Sequence, residues 1–243
     1  MRTHMMVAAI ALAAAACTAK TDDQAADTGA AMQADTGMAA MGHDSAAMAG
    51  MDKDMAATGG SGVPAGYMAR TDKESQKITD AKYTMKDGRW NVQTGPPHIV
   101  YAAKDMASGT YTASATFDQL EAPAHPEAFG IFVGGQNLDG AGQKYTYLLV
   151  RGTGQVMVTQ RDGAGTKPVM AWTDNAAVTK ADASGKGTYK LAIKVGADSV
   201  RFMVNDTQVG AAPKSAVSTD GIVGMRINHN LHVAATPVTI TKG

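Results

Sequence analysis

Hydrophobic and polar residues alternate most clearly between residues 189 and 209, in the stretch YKLAIKVGADSVRFMVNDTQV. Apolar residues fall on every second position of residues 189–195, and the alternation resumes in residues 200–204 after the turn Gly-Ala-Asp. A period of two on both sides of a short turn is typical of an antiparallel hairpin with one buried face. Because such a sheet must cover its apolar face with a second layer, the pattern predicts a β-sandwich.

Similar short segments recur along the chain from residue 82 onward. Besides the hairpin, the predicted strands cover residues 89–94, 98–102, 109–117, 129–133, 145–150, 156–159, 169–172, 207–209, 222–228 and 233–241. Asn205-Asp206 and four Asp-Gly dipeptides, at 87–88, 139–140, 162–163 and 220–221, predict turns. Thr71 followed by Glu74 suggests the start of a short helix. Together these signals predict one all-β sandwich domain over residues 66–243.

The N-terminal segment is an unbroken apolar run from Met5 to Ala16 that ends at Cys17, the single cysteine of the chain. The run is too short to span a bilayer about 30 Å thick and predicts a signal peptide over residues 1–16. Its end resembles the lipobox of bacterial lipoproteins, which implies lipidation of Cys17. Thr18 in the following position implies an outer-membrane lipoprotein. The alternative is an ordinary secretory signal that leaves Cys17 as a free thiol.

Residues 17–65 are rich in Ala, Asp, Gly and Met, and have no hydrophobic periodicity. They are predicted to form a disordered tether, because they offer too little apolar surface to offset the chain entropy. Spaced methionines with a histidine resemble the methionine motifs of periplasmic copper proteins, and thioethers select Cu(I). The candidate copper ligands are Met38, Met41, His43, Met48, Met51 and Met55. The alternative is a solvated spacer that binds no metal.

Several segments of the domain resemble the concanavalin A-like lectin/glucanase superfamily, which includes laminin G-like modules and the keto-disaccharide hydrolase domain. These segments are GTYTASATF at 109–117, AFGIFVGG at 128–135, YTYLLVRGTGQVMV at 145–158, VRFMVNDTQV at 200–209 and DGIVGMRI at 220–227. The resemblance implies a jelly-roll of two antiparallel sheets. It also implies a carbohydrate or a cell-envelope polymer as the ligand, and a fold alone does not establish that function.

The net charge and the spacing of the carboxylate residues bear on two further classes of function, nucleic-acid binding and glycoside hydrolysis. The formal net charge is zero, and no basic run with interleaved aromatics indicates a nucleic-acid site. Glucanases of the superfamily carry Glu-x-Asp-x-x-Glu on one strand, and no predicted strand here has that pattern. A glycoside hydrolase remains an alternative, with Asp118, Glu121, His125 and Glu127 converging from one loop region.

A glycan site needs an aromatic ring beside planar polar side chains. Trp90 and Tyr147 lie among alternating residues and are interpreted as core, whereas Trp172 at a strand end is interpreted as an exposed platform. The candidate ligand-binding residues are Trp172, Gln136, Asn137, Asp139, Arg151, His125, Glu127, Asn228 and His229.

The histidines are interpreted as structural and not as metal ligands. His229 and His232 are three positions apart, so in an extended strand they point to opposite faces. We therefore expect no cofactor, with a calcium ion on Asp139 and Cu(I) on the tether as open alternatives. The sequence as a whole predicts a lipid-anchored cell-envelope protein, facing the periplasm or the cell surface, whose sandwich binds a glycan or envelope polymer without catalysis.

Overall fold

A computed structural model describes residues 62–243 of the chain. This region is built from strands, with two single turns of 3-10 helix at Ile78–Asp80 and Lys214–Ala216. Within it, no helix is long and apolar enough to cross a membrane. The predicted signal peptide, Cys17 and the candidate copper ligands lie outside the described residues and stay predictions.

The strands alternate with short turns along the whole described region. In chain order they are β1 (Met68–Thr71), β2 (Lys82–Lys86), β3 (Arg89–Gln93), β4 (His98–Ala107), β5 (Tyr111–Gln119), β6 (Ala128–Gln136), β7 (Lys144–Arg151), β8 (Gln155–Asp162), β9 (Gly165–Asp174), β10 (Gly187–Val195), β11 (Ser199–Val204), β12 (Thr207–Pro213), β13 (Gly221–Ile227), β14 (His232–Ala235) and β15 (Thr239–Lys242).

The strands form two antiparallel sheets. The seven-stranded sheet has the order β1-β4-β13-β6-β7-β8-β9, and the eight-stranded sheet has the order β12-β11-β10-β5-β14-β3-β2 with β15 also paired to β5. Strands distant in sequence lie side by side, as β4 with β13 and β5 with β14. The all-β sandwich that the alternation predicts is therefore confirmed.

The core lies between the two sheets because each contributes alternate side chains to it. Phe117 of β5 and Tyr189 of β10 contact Phe129 of β6, with ring centroids 5.4 and 5.5 Å apart. All three rings are fully buried. Burial of such side chains contributes about 2 kcal/mol each, so this interface stabilises the domain without any disulfide.

The predicted hairpins are confirmed at three turns. β10 and β11 pair from Leu191 to Val204 around residues 196–198. Asp87-Gly88 joins β2 to β3, and Asn205-Asp206 joins β11 to β12, with positive φ at all four turn residues. These are the left-handed conformations that Asn, Asp and Gly adopt most readily.

Other predictions at this level are wrong. The single strand predicted over residues 233–241 is two strands, β14 and β15, separated by Pro237, which has no N–H for a ladder bond. Thr71 ends β1 and starts no α-helix. Residues 62–65, assigned to the tether, belong to the domain: Gly62 donates to the Ala81 carbonyl (2.9 Å), and Val63 packs on the core.

Candidate functional site

The outer face of the seven-stranded sheet, turned away from its partner sheet, carries a second apolar cluster. Its buried members are Ile99, Tyr101, Ala128, Phe132, Leu138, Tyr145, Tyr147 and Leu149, and the partly buried Met157, Trp172 and Ile222 pack against it. Alternation explains the set, because residues 145, 147 and 149 of β7 point opposite to the core residues Leu148 and Val150. Tyr147, predicted to be core, is buried on this face and not between the sheets.

Two loops pack against this face. The loop after β6 lies at one end of the face, and the loop after β1, which contains Asp72, lies near its centre. Arg70 donates from Nη1 to the carbonyls of Leu138 (3.2 Å) and Gly140 (2.6 Å), and so fixes the loop after β6. Arg226 of β13 donates two hydrogen bonds to the carboxylate of Asp72, at 2.8 and 2.6 Å. Burial alone would raise the pKa of Asp72, but the Arg226 charge and hydrogen bonds lower it overall.

Arg151 and Trp172 occupy the other end of the same face. The guanidinium carbon of Arg151 lies 3.8 Å from the centre of the Trp172 ring, which is a stacked cation–π contact. Neither Arg151 Nε nor Trp172 Nε1, both buried, has a hydrogen-bond partner within the described region. Burial lowers the pKa of Arg151, and the Glu127 carboxylate opposes that shift. Trp172 is half-buried, so it is less exposed than the sequence interpretation assumes.

Glu127 lies next to this end, directly before β6, and collects polar partners from two loops. Its Oε1 is 3.1 Å from His125 Nδ1 and 3.1 Å from His229 Nε2. Its Oε2 accepts a hydrogen bond from Asn228 Nδ2 at 3.1 Å. The rings of His125 and His229 are 5.0 Å apart. Glu127 and His229 are buried, so the cluster is a buried polar group at the edge of the sandwich.

Local sequence explains how the two loops reach Glu127. His125 lies between Pro123 and Pro126, which restrict its loop. The other loop turns at Asn230, which has φ 54° and is positioned with its Nδ2 2.6 Å from His125 Nε2. Asn tolerates this left-handed conformation better than most residues. Asn230 was not among the predicted site residues, although Asn between two histidines is a turn signal.

The buried hydroxyl of Thr94 forms hydrogen bonds with the backbone of the second loop, residues 228–231. Thr94 Oγ1 donates to the Asn228 carbonyl at 2.8 Å and accepts from the Leu231 N–H at 3.1 Å. The backbone of residues 228–231 is therefore tied to the end of β3 by hydrogen bonds.

The structure divides the predicted ligand-binding residues between opposite ends of β6. His125, Glu127, Arg151, Trp172, Asn228 and His229 lie at the end where β6 begins. Gln136, Asn137 and Asp139 lie after β6 ends, about 25 Å away for a nine-residue strand. The nine candidate residues therefore lie in two separate places, and their role in ligand binding stays a prediction.

The far end of β6 carries a polar groove of its own. Gln136 donates there to the Asp220 carbonyl at 3.0 Å. The groove is open to solvent and is lined by Gln136, Lys144, Gln160 and Ser215–Ser218.

The carboxylates expected to converge in the hydrolase alternative have separate partners. Asp118 accepts from Arg89 (2.6 Å) and Thr188 (2.7 Å) on the eight-stranded sheet. Glu121 is 3.3 Å from His232, whose other ring nitrogen is 3.0 Å from Asn91. Glu127 belongs to the cluster with His125 and His229. His229 and His232 contact different carboxylates, and the turn at Asn230 means that they do not lie on one extended strand as the sequence argument assumed.

Solved structures with the same fold have low sequence identity to this chain. The carbohydrate binding module CBM66 from Bacillus subtilis has a TM-score of 0.52 and 13% identity, over 73% of this chain and 96% of that one. The carbohydrate recognition domain of Emp46p, in its metal-free form, has a TM-score of 0.51 and 11% identity, over 73% and 88%. The β-glucanase of Bacillus licheniformis has a TM-score of 0.48 and 12% identity, over 66% and 82%.

No protein-family model matches the chain, and no curated protein matches it in sequence. At the identities above, similarity to solved structures establishes the fold. The domain is thus a concanavalin A-like jelly-roll sandwich, as the strand pattern and the resemblance predict.

Proposed function

We propose that the sandwich binds a carbohydrate or a related envelope polymer at the end of its outer face formed by Arg151 and Trp172. The observation that carries the proposal is the stacked guanidinium and indole, 3.8 Å apart, on a half-buried surface. Sugar rings pack on aromatic faces, and planar side chains donate to ring hydroxyls. The part of the Trp172 ring that is exposed offers a surface on which a sugar can pack, and Arg151 places a planar guanidinium beside it.

Two of the solved structures with this fold carry names of carbohydrate-binding domains, which agrees with the proposal. Non-catalytic binding is favoured over hydrolysis by the carboxylate contacts. A retaining glycosidase needs two carboxyl groups about 5 Å apart, whereas Asp118, Glu121 and Glu127 each contact different partners.

The proposal includes a cell-envelope location through a lipid on Cys17, with residues 18–61 between the membrane and the sandwich. A polymer ligand suits such an arrangement, because an anchored module meets an extended ligand within reach of its tether. Copper binding by the methionines of the tether stays a prediction.

The test is thermal denaturation of the purified full chain against a panel of oligosaccharides and envelope polymers. A ligand at about one hundred times its Kd stabilises the fold by about 2.7 kcal/mol and raises Tm by several degrees. Trp172→Ala should weaken binding at least about tenfold, because the stacking surface is lost. Analysis of the same mixtures for cleaved products tests the hydrolase alternative.

The matched control is Gln136→Ala, at the opposite end of β6, which should bind as the wild type does. If Gln136→Ala weakens binding and Trp172→Ala does not, the ligand site is the groove at the other end. If no sugar in the panel changes Tm, the carbohydrate proposal is rejected.

A further inference from the structure

The end of the sandwich where β6 begins brings together three side chains of metal-ligand type. Glu127 Oε1 lies 3.1 Å from both His125 Nδ1 and His229 Nε2. One ligand atom from each residue lies within 4.8 Å of the other two. We propose that His125, Glu127 and His229 bind one divalent transition-metal ion of the zinc class. The proposal is independent of the carbohydrate function.

The spacing of the ligand atoms suits a tetrahedral ion. Ligands about 2.1 Å from a tetrahedral zinc ion are about 3.4 Å from one another. The two nitrogen–oxygen distances of 3.1 Å are close to that value. Two histidines and one glutamate also form a known zinc ligand set, in which the fourth position is open to water or a ligand oxygen.

The orientation of His125 supports coordination over a simple hydrogen bond. Its Nδ1 is within ion-pair distance of Glu127 Oε1 but forms no hydrogen bond to it. A ring nitrogen that lies near a carboxylate oxygen without pointing at it has the geometry expected when both atoms face a common ion.

Asn230 occupies the position of an outer-shell partner. Its side-chain amide lies 2.6 Å from His125 Nε2 and is buried. Amide oxygen and nitrogen are assigned from the surroundings, so the amide can present its oxygen to an Nε2–H. That hydrogen bond leaves the lone pair of Nδ1 for the metal, as in most histidine ligands.

Asn228 supplies a second observation that points to a ligand. Its Nδ2 donates to Glu127 Oε2 at 3.1 Å, which fixes the amide beside the cluster. Its Oδ1 is buried and accepts no hydrogen bond from any residue in 62–243. A water molecule on the open metal position is a donor for such an acceptor, and metal-bound water is a strong one.

The ligand types select among ions. Calcium prefers six to eight oxygen ligands, so a site with two imidazoles and one carboxylate disfavours it. Cu(I) favours thioethers and thiolates, and the cluster has neither. Zn²⁺ and Co²⁺ accept imidazole and carboxylate together. The Arg151 charge opposes a cation here, and the Glu127 carboxylate compensates for it.

The first experiment loads the full chain with Zn²⁺ or Co²⁺ after chelation and dialysis. We expect about one ion per chain by elemental analysis, and Tm to rise by roughly 5–10 °C at one hundred times Kd. Co²⁺ should show the visible absorption of a tetrahedral site with nitrogen and oxygen ligands. Calcium should leave Tm unchanged.

The variants locate the site. His125→Asn keeps a polar side chain at a partly buried position, and Glu127→Gln keeps the shape of the side chain. Each should weaken Zn²⁺ binding at least about 100-fold and abolish the Co²⁺ absorption. The matched controls are His232→Asn and Glu121→Gln, which change the other His–Glu contact, 3.3 Å apart, and should bind as the wild type does.

Three results would each overturn the proposal. The first is that the wild-type chain takes up no Zn²⁺ or Co²⁺. The second is that His125→Asn and Glu127→Gln, shown to be folded by circular dichroism, bind both ions within twofold of the wild-type affinity. The third is that the control variants lose as much affinity as the site variants. Binding that persists in all variants assigns the ion to another part of the chain, such as the methionine-rich segment with His43.

Discussion

His98 is a fully buried histidine that joins the two sheets at the end of the core. Its Nδ1 donates to the Pro96 carbonyl at 2.8 Å, so its Nε2 accepts from the hydroxyl of Tyr83 in the other sheet. Burial lowers the pKa of His98 to about 4 and raises the pKa of Tyr83. Both groups are therefore neutral at physiological pH, which is the form that a dry site favours.

We predict that acidification destabilises the domain through His98. The unfolded imidazole binds its proton near pH 6.5, but the folded one binds it only near pH 4. The difference between these two pKa values stabilises the folded domain by about 3 kcal/mol above pH 6.5, and this stabilisation is lost as the pH falls to about 4. Urea titrations at intervals across this range measure it.

His98→Gln has no titrating ring and should show a shallower pH slope, although it is less stable at pH 7 because hydrogen bonds are lost. Gln136→Ala serves as the control, because it removes no titrating group and should leave the slope unchanged. An unchanged slope in His98→Gln would contradict the prediction.

Strand β6 shows how single residues control an element. It lies between β13 and β7 in the seven-stranded sheet, and it carries Gly130, Gly134 and Gly135. A Cβ at position 130 would overlap the carbonyl oxygen of Leu148 in β7. The glycine therefore permits the close approach of two strands whose ends carry Glu127 and Arg151.

We predict that Gly130→Ala destabilises the domain by about 3 kcal/mol, because the added methyl group meets backbone and not a flexible side chain. Gly165→Ala is the control, because its nearest new contact is an ordinary 3.7 Å. Chemical denaturation of both variants measures the difference. Equal stability of the two variants would show that β6 and β7 adjust without cost.

Turns were the most predictable elements, and strand ends the least. Asp87-Gly88 and Asn205-Asp206 were recognised because their residue types tolerate positive φ, which is a local property. β1 was missed because it depends on its partner strand, whereas the division between β14 and β15 follows from Pro237, a local signal that the predicted strand 233–241 ignored. β1 pairs with β4 from Met68 to Thr71, in a segment with no alternation of its own.

The whole molecule combines this sandwich with an N-terminal segment that the structure does not describe. We predict that Cys17→Ser releases the protein from envelope membranes, because two or three acyl chains on Cys17 would otherwise hold it there. Membrane fractionation and labelling with a fatty acid measure this. Cys17→Ser combined with Ser45→Cys is the control, since a cysteine away from the lipobox should not restore the anchor. Membrane association of Cys17→Ser equal to wild type would contradict lipidation.

In the whole molecule, the order of the strands in each sheet also brings together residues that are far apart in the sequence. Glu127 precedes β6 and Asn228 follows β13, and the two strands are neighbours in the seven-stranded sheet. The cluster of His125, Glu127 and His229 follows from that neighbourhood. The pairing of β6 with β13 cannot be read from either strand alone.

The class of fold follows from the chain itself, because alternation and turn residues are local consequences of how strands expose their two faces. The residue types suited to a ligand were also recognisable, since indole, guanidinium, imidazole and carboxylate groups keep their chemistry in any fold. Their grouping was not: Arg151 and Trp172 came together with Glu127, while Gln136, Asn137 and Asp139 were placed at the far end of β6. Strand pairing fixes those distances, because the register of β6 with β7 puts Arg151 opposite Ala128, beside Glu127, and the contact of Asn228 with Glu127 joins segments about a hundred residues apart.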